Sequence, residues 1–187
     1  MLDGLITQHM ISHIVAMNVV APAMALGLRH ADLPLFRYVS QGLTPALILQ
    51  LCLLWGWHIP NVLAAAHSSH VLMTLMHASL FICALWFWAA TFAKAHTQGW
   101  HSLSALLVTG KLFCLLGVLL TFAPRPLYLG VGVSIEPSAM LADQQMAGLL
   151  MLVACPLTYV LAAIIIAARW TLCMDTAQGW TPRNGPD

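Results

Sequence analysis

The chain has 187 residues, of which 60% are hydrophobic and only 7% are charged, and its formal net charge is +1. A soluble domain carries about 25% charged residues, so this composition excludes a protein with a wholly water-facing surface. The near-neutral charge gives no indication of a nucleic-acid partner. The apolar runs are far longer than barrel strands, which predicts helices that cross a lipid bilayer.

Five apolar runs follow one another, each close to the roughly 20 residues that a helix needs to span a bilayer. They cover residues 5–28, 43–57, 71–93, 103–122 and 140–170. The second run is short, so we expect it to begin near Tyr38, to close at His58-Ile59-Pro60 and to lead into a short loop. The sequence therefore predicts an all-α, polytopic transmembrane bundle of about five spans over residues 1–170, followed by a short polar tail over 171–187.

Lysine and arginine in the loops predict the orientation, because cytoplasmic loops carry the excess of positive charge. With five spans the two termini lie on opposite sides. One side holds Arg29, Arg37, Lys94, Arg169 and Arg183, and the other holds Arg125. We therefore expect the N-terminus outside the cell membrane and the C-terminus in the cytoplasm.

The histidines are distributed unevenly under this topology. His30, His96 and His101 fall on the inner side, and the others fall at the outer end: His9, His13, His58, His67, His70 and His77. His9 and His13 stand four residues apart, so their imidazoles share one helix face and can hold one metal ion. Histidine is costly in a lipid-embedded helix, which favours a functional role. The alternative is that the pair caps the helix or bonds to interfacial water.

Three polar residues open the fifth run at the same level, Asp143, Gln144 and Gln145. Asp143 can bind the metal, or accept a hydrogen bond from a metal-bound imidazole and so fix its tautomer. It can equally cap its helix, since acidic residues are favoured in the first turn. The glutamines can donate and accept beside it. Gly148, one turn below Gln144, would allow a neighbouring helix to pack closely.

Methionines follow the histidines on two of the predicted helices. Met17 continues the face of the first histidine pair, and Met73 lies between His70 and His77 at helical spacing. Imidazole and thioether together suit copper, particularly Cu(I), although methionine also packs membrane helices without binding metal. Imidazoles alone also fit zinc, iron or haem. The cysteines form no CxxC pair and are interpreted as small hydrophobic residues: Cys52, Cys83, Cys114, Cys155 and Cys173.

Five stretches of the chain resemble the CtaG-type cytochrome c oxidase assembly factors: QHMISHIVAMNVVAPAMALG, LLWGWHIP, MHASLFICALWFW, LLTFAPRPLY and DQQMAGLLMLVACPLTY. The resemblance implies a polytopic membrane protein that supplies copper to the catalytic copper B centre of a haem–copper oxidase. It also implies that the family's recurrent polar positions correspond to His9, His13, His58, His77, Asp143, Gln144 and Gln145. His67 and His70 lie outside that pattern.

These observations favour a non-enzymatic membrane factor that binds copper at the outer face and passes it to an oxidase subunit. The predicted metal ligands are His9, His13, His58, His70, His77 and Asp143, supported by His67, Gln144, Gln145, Met17 and Met73. We expect a place in the bacterial cytoplasmic (inner) membrane, with the metal site towards the periplasm. The expected partners are the lipid bilayer, a haem–copper oxidase subunit and a periplasmic copper chaperone, with a homo-oligomer as a further candidate.

Two alternatives remain at this stage. The first is a membrane redox protein or cytochrome that binds haem or a metal through the same histidines. The second is a copper importer or a purely structural partner of the oxidase. Metal content, an optical spectrum and rescue by external copper distinguish them.

Overall fold

The fold is known from a computed structural model, which describes residues 4–31, 36, 38, 40–95, 98–128 and 136–178, with side chains up to residue 172. Over these residues all regular elements are helices: α1 (Leu5–His30), α2 (Leu43–Trp57), α3 (Pro60–Ser68), α4 (His70–Lys94), α5 (Gly99–Phe122) and α6 (Pro137–Gln178). Helices α1, α4, α5 and α6 are long and apolar enough to cross a membrane, and α2 with α3 forms a bent pair that can supply a fifth span. The predicted all-α, multi-pass membrane bundle is confirmed.

Helix α1 contains a π-helical turn over Ala16–Val20. The N–H of Ala21 donates to the carbonyl of Ala16, five residues earlier, where an α-helix would use the residue four earlier. Pro22 follows at once in the chain. Its ring has no N–H to donate and crowds the carbonyl four residues before it, that of Asn18. The wider turn relieves this crowding and keeps the span continuous.

The π turn frees a backbone acceptor in the middle of the protein. The carbonyl of Met17 would accept from Ala21 in an α-helix, but here it accepts a hydrogen bond from Trp88 Nε1 at 2.9 Å. Trp88 is 1% exposed, so both partners of this bond are removed from lipid. The bond links α1 to α4 and gives the Met17 carbonyl a hydrogen-bond donor, which lipid could not supply.

Helices α2 and α3 meet at a bend of 76°. Ile59 has an extended backbone, and Pro60 opens α3 in the first turn, where its missing N–H is tolerated. Helix α2 begins directly after Gly42, whose φ of 76° lies in the left-handed region that glycine adopts readily. The expected extension of the second span towards Tyr38 is therefore wrong. The expected loop after it is also wrong, because α3 is helical.

Helices α5 and α6 cross at two glycines. A Cβ atom on Gly117 would lie 3.0 Å from the Gly148 carbonyl oxygen, and one on Gly148 would lie 2.8 Å from that of Gly117. The close packing expected at Gly148 is confirmed. One turn earlier, the buried Gln144 donates from Nε2 to the Leu120 carbonyl (3.1 Å) and accepts at Oε1 from the Leu127 N–H (2.7 Å). Gln144 thus fastens the chain that leaves α5 to the start of α6.

Gly148→Leu is expected to destabilise the protein by about 1–3 kcal/mol, because the added side chain overpacks a backbone contact. Unfolding of the purified protein by increasing sodium dodecyl sulfate measures the change. Gly27→Ala is the matched control, since a Cβ there has nothing within 4 Å. Equal unfolding of the two variants would contradict the proposed crossing.

The two ends of the bundle differ in charge. Arg29 and Arg169 line one crevice at the end that also carries Lys94, and the Arg29 guanidinium donates to the Phe92 carbonyl at 2.9 Å. Helix α6 continues to Gln178, eight residues past the predicted boundary at residue 170. Arg37, His96 and Arg183 lie outside the described residues, as does the rest of the predicted tail after Gln178. The orientation across the membrane therefore stays a prediction.

Candidate metal centre

Five imidazoles meet at the end of the bundle opposite those cations, and we call them the histidine cluster: His9, His13, His58, His67 and His77. The ring of His9 is central. Its centroid lies 4.3 Å from that of His13, 5.0 Å from His67, 5.4 Å from His77 and 6.4 Å from His58. The rings come from α1, α3, α4 and the break after α2, so the cluster exists only when these elements are packed together.

His9 and His13 present their ring nitrogens to each other. Their Nε2 atoms are 2.9 Å apart, and both side chains are buried. Two nitrogens bound at 2.0–2.1 Å to one ion at a right angle would be about 2.9 Å apart. A hydrogen bond between these two atoms requires that one of them carries a proton and donates it to the other. A metal ion can therefore replace this shared proton with little movement of the rings.

His77 completes a set of three possible ligands. One ring nitrogen each from His9, His13 and His77 lies within 4.8 Å of the others. The rings of His13 and His77 are stacked, with centroids 4.5 Å apart. Ser12, which the sequence analysis missed, places its hydroxyl oxygen 3.2 Å from His77 Nε2. Its position on the same helical face as His9, three residues on, was the available signal.

Three histidines of the cluster have a defined tautomer. The Nδ1 atoms of His58, His67 and His77 lie 2.6, 3.0 and 2.8 Å from the carbonyl oxygen four residues earlier. A carbonyl oxygen only accepts, so each Nδ1 carries the proton and each Nε2 keeps its lone pair. Metal-binding histidines are oriented by this kind of second hydrogen bond.

His58 holds an unpaired nitrogen in the interior. Its Nε2 atom is buried and has no hydrogen-bond partner among the described residues. A buried acceptor without a partner costs about 1–3 kcal/mol, which a bound cation would offset. The His58 carbonyl accepts from Tyr128 Oη at 3.1 Å. Burial raises the pKa of Tyr128 to about 12, so the phenol stays protonated and keeps His58 in place.

Asp143 serves a different helix from the one expected. Its Oδ2 accepts from the Ile6 N–H at 2.9 Å, and its Oδ1 accepts from the Thr7 N–H (3.1 Å) and Thr7 Oγ1 (2.5 Å). It thus caps the first turn of α1, where free N–H groups and the helix dipole favour a carboxylate. A Cβ on Gly4 would lie 1.8 Å from Oδ1, so glycine is needed for this approach. The carboxylate is occupied in fixing the helix that carries His9.

The structure places His67 in the histidine cluster and His70 outside it, which reverses their predicted roles. His67, expected only to support the site, lies in the cluster, whereas His70 is exposed as the first residue of α4. Ser69 between them is extended, so the face of α4 does not continue into α3. Pro60 was the signal for α3, because proline favours the first turn of a helix.

The remaining predicted residues have other surroundings or roles. Met17 is buried one turn below His13, and Met73 provides the carbonyl that orients His77. Gln144 is occupied by the backbone groups after α5, and Gln145 is half-buried. The four cysteines with described side chains are free: Cys52, Cys83, Cys114 and Cys155. Cys83 and Cys155 are buried, whereas Cys52 is exposed and is not a core residue.

Comparison with known protein families identifies a matching family model. The family model described as cytochrome c oxidase caa3 assembly factor (Caa3_CtaG) matches residues 2–172. The matched range includes all five residues of the histidine cluster. No curated protein and no solved structure matches the chain.

Proposed function

We propose, because this chain belongs to the family of cytochrome c oxidase caa3 assembly factors, that it binds copper in the histidine cluster and supplies it to the copper B centre of a haem–copper oxidase. Copper is cargo in this proposal, and the protein acts by binding and transfer. The observation that carries the proposal is the convergence of three ring nitrogens, from His9, His13 and His77, within 4.8 Å of one another.

The donor atoms support a transition metal over a hard cation. Mg²⁺ and Ca²⁺ take oxygen ligands, whereas imidazole suits copper, zinc, iron and nickel. Asp143, the carboxylate predicted at this level, is committed to the first turn of α1. Among the metals that imidazole suits, copper is favoured by the family's role in assembling an oxidase whose active site contains it.

The burial of the rings supports exchange rather than permanent storage. His9 and His13 are buried, His67 and His77 are half-buried, and His70 is exposed. His70 precedes His77 by seven residues, or about 10 Å along the helix axis. A copper ion can therefore pass inwards from His70 to His77 and then to the buried pair. We place the acquisition of copper from a periplasmic chaperone at this exposed end, which the loop charges predict to face outwards.

The competing interpretation as a haem protein has less support from the geometry. The space beside His13 and His58 is about 20 Å³. Pockets for ligands of drug size, which are smaller than haem, have about 300–1,000 Å³. Crevices of about 510, 550 and 620 Å³ lie elsewhere among the described residues, but no residue of the histidine cluster lines them.

Metal analysis and an optical spectrum of the purified protein test the proposed function. We expect bound copper after incubation with Cu(II), no Soret band, and a lower copper content for His77→Ala. His101→Ala at the opposite end is the control and should retain the wild-type content. Unchanged copper in His77→Ala would contradict the site, and a Soret band would favour the haem protein.

A further inference from the structure

We propose that the protein has a second metal site, directly below the histidine cluster, that takes a single soft cation of the Cu(I) type on sulfur ligands. We call it the sulfur site and define it by the side chains of Met10, Met17, Met151 and Cys155, with Asn18 and His58 at its edge. This second site rests on the proposed function only because both sites would take the same metal as cargo. Its ligand chemistry differs from that of the imidazoles above it.

The sulfur site is built around the cavity of about 20 Å³ between α1, α2, α5 and α6. Four of the side chains that line it carry sulfur, and each is at most 4% exposed. A space of about 10–15 Å³ is enough for one water-sized particle, so the cavity accommodates one ion and no organic ligand. Three thioethers and a thiol from two helices around so small a space form a donor set that favours Cu(I) or Ag(I) over Zn²⁺ or Mg²⁺.

Two of the side chains that line the cavity also carry a buried acceptor without a partner in the part of the chain that the structure describes. Asn18 Oδ1 and His58 Nε2 have no hydrogen-bond partner among the described residues. His58 Nδ1 donates to the Leu54 carbonyl, so Nε2 carries a lone pair and no proton. Each unpaired buried acceptor costs about 1–3 kcal/mol, which a cation bound within its reach would offset.

The π-helical turn of α1 supplies two of the walls. Met17 and Asn18 are consecutive, yet both are buried, at 2% and 4% exposure, whereas Val19 is 58% exposed. Successive residues of an α-helix point about 100° apart, so two neighbours seldom share one small cavity. π turns within α-helices occur frequently at functional sites. Here the turn brings a thioether and an amide to the same cavity.

Asn18 also acts on the thiol. Its Nδ2 donates to Cys155 Sγ at 3.3 Å. Hydrogen bonds to a cysteine sulfur tune the metal that the sulfur binds. The Asn18 side chain therefore acts on the Cys155 sulfur through its nitrogen.

The two sites share a wall, which gives the ion a route. His13 and His58 belong to the histidine cluster and also line the cavity. A Cu(I) ion can pass from the cluster to the sulfur site by exchanging one imidazole for one thioether at a time. No electron is gained or lost in this step, so no further reactant is needed.

Titration of the purified full-length protein with Ag(I), a redox-silent probe for Cu(I), tests the sulfur site. We expect the Met151→Leu, Cys155→Ser double variant to bind one Ag(I) ion fewer per chain than the wild type. X-ray absorption of the Cu(I)-loaded wild type should show sulfur scattering that the variant lacks. Met24→Leu with Cys52→Ser is the matched control, because both of these side chains are exposed. Met17→Leu alone is a milder variant, which should lower the affinity for the last Ag(I) ion that binds.

The outcomes separate this site from the proposed function. If Cu(II) binding depends on His9 but the double variant takes up as much Ag(I) as the control, the sulfur site is wrong and the cluster stands. If His9→Ala leaves Cu(II) binding unchanged while the double variant loses Ag(I), the proposed metal site at the histidine cluster is wrong and the sulfur site stands. Scattering by nitrogen only in the Cu(I)-loaded wild type would overturn the sulfur site even if the double variant does not fold.

Discussion

Replacing both His9 and His13 by alanine is expected to weaken Cu(II) binding by more than about 100-fold. Loss of a residue that merely orients a metal ligand costs about 10–100-fold, and this variant removes two of the three nitrogens that converge. Competition with a chelator of known affinity measures the change. Cells that carry the variant should assemble an oxidase that lacks copper at copper B, which metal analysis of the isolated oxidase reports.

His30→Ala is the matched control for this variant. It removes a histidine from the same helix, but at the opposite end and from an exposed position. The control should bind copper and support oxidase assembly as the wild type does. An oxidase with full copper content in the double variant would contradict a role of the cluster in delivery.

External copper distinguishes delivery from import. If the protein imports copper, added copper should restore the oxidase in cells that lack the chain. If it delivers copper by contact with an oxidase subunit, added copper should restore little. A purely structural partner would support assembly even in the double variant, because such a role does not need the imidazoles.

The sequence was sufficient to predict five of the six helices, all except α3, and to place His9, His13, His58 and His77 at one end of the bundle. Both predictions depend on local properties. The length of an apolar run indicates where the chain crosses a bilayer, and the charges of the loops indicate which helix ends lie on the same side. The convergence of His9, His13, His58 and His77 followed from the shared level alone. Which rings touch was not accessible in this way, because contact depends on how each helix is rotated and bent.

His67 and His70 show this limit. The spacing of His70, Met73 and His77 predicts one helical face, which is correct as local geometry. The 76° bend between α2 and α3 decides instead that His67 reaches His9. A bend of this kind follows from Pro60, but its direction depends on the helices that pack against it.

The π turn could not be predicted from the sequence for a similar reason. Pro22 marks a disturbance in α1, but proline in a helix can equally produce a kink or a break. The carbonyl of Met17 can leave the helical pattern because Trp88, distant in the sequence, donates to it. The proposed sulfur site could therefore not be predicted from the spacing of methionines and cysteines. Such spacing is also typical of membrane helices that bind no metal.

Asp143→Ala is expected to destabilise the protein by about 3 kcal/mol or more, since hydrogen bonds to a charged acceptor contribute about 1.5–3 kcal/mol each. The N–H groups of Ile6 and Thr7 and the Thr7 hydroxyl would lose their shared acceptor. Helix α1 has no side-chain cap of its own, because Gly4 stands at that position. The first turn would then fray and carry His9 with it. Unfolding in sodium dodecyl sulfate measures the loss.

The same variant separates the two functions that the sequence allowed for Asp143. As a cap, Asp143→Asn should recover part of the stability, because the amide oxygen still accepts one bond, and folded protein should keep copper affinity within about tenfold of the wild type. As a ligand, both variants should lose more than about 100-fold in copper affinity without a matching loss of stability. Glu136→Gln, an exposed carboxylate at the same end, controls for net charge. The hydrogen bonds to α1 favour the first outcome, in which Asp143 shapes the metal site by holding the helix that presents His9 and His13.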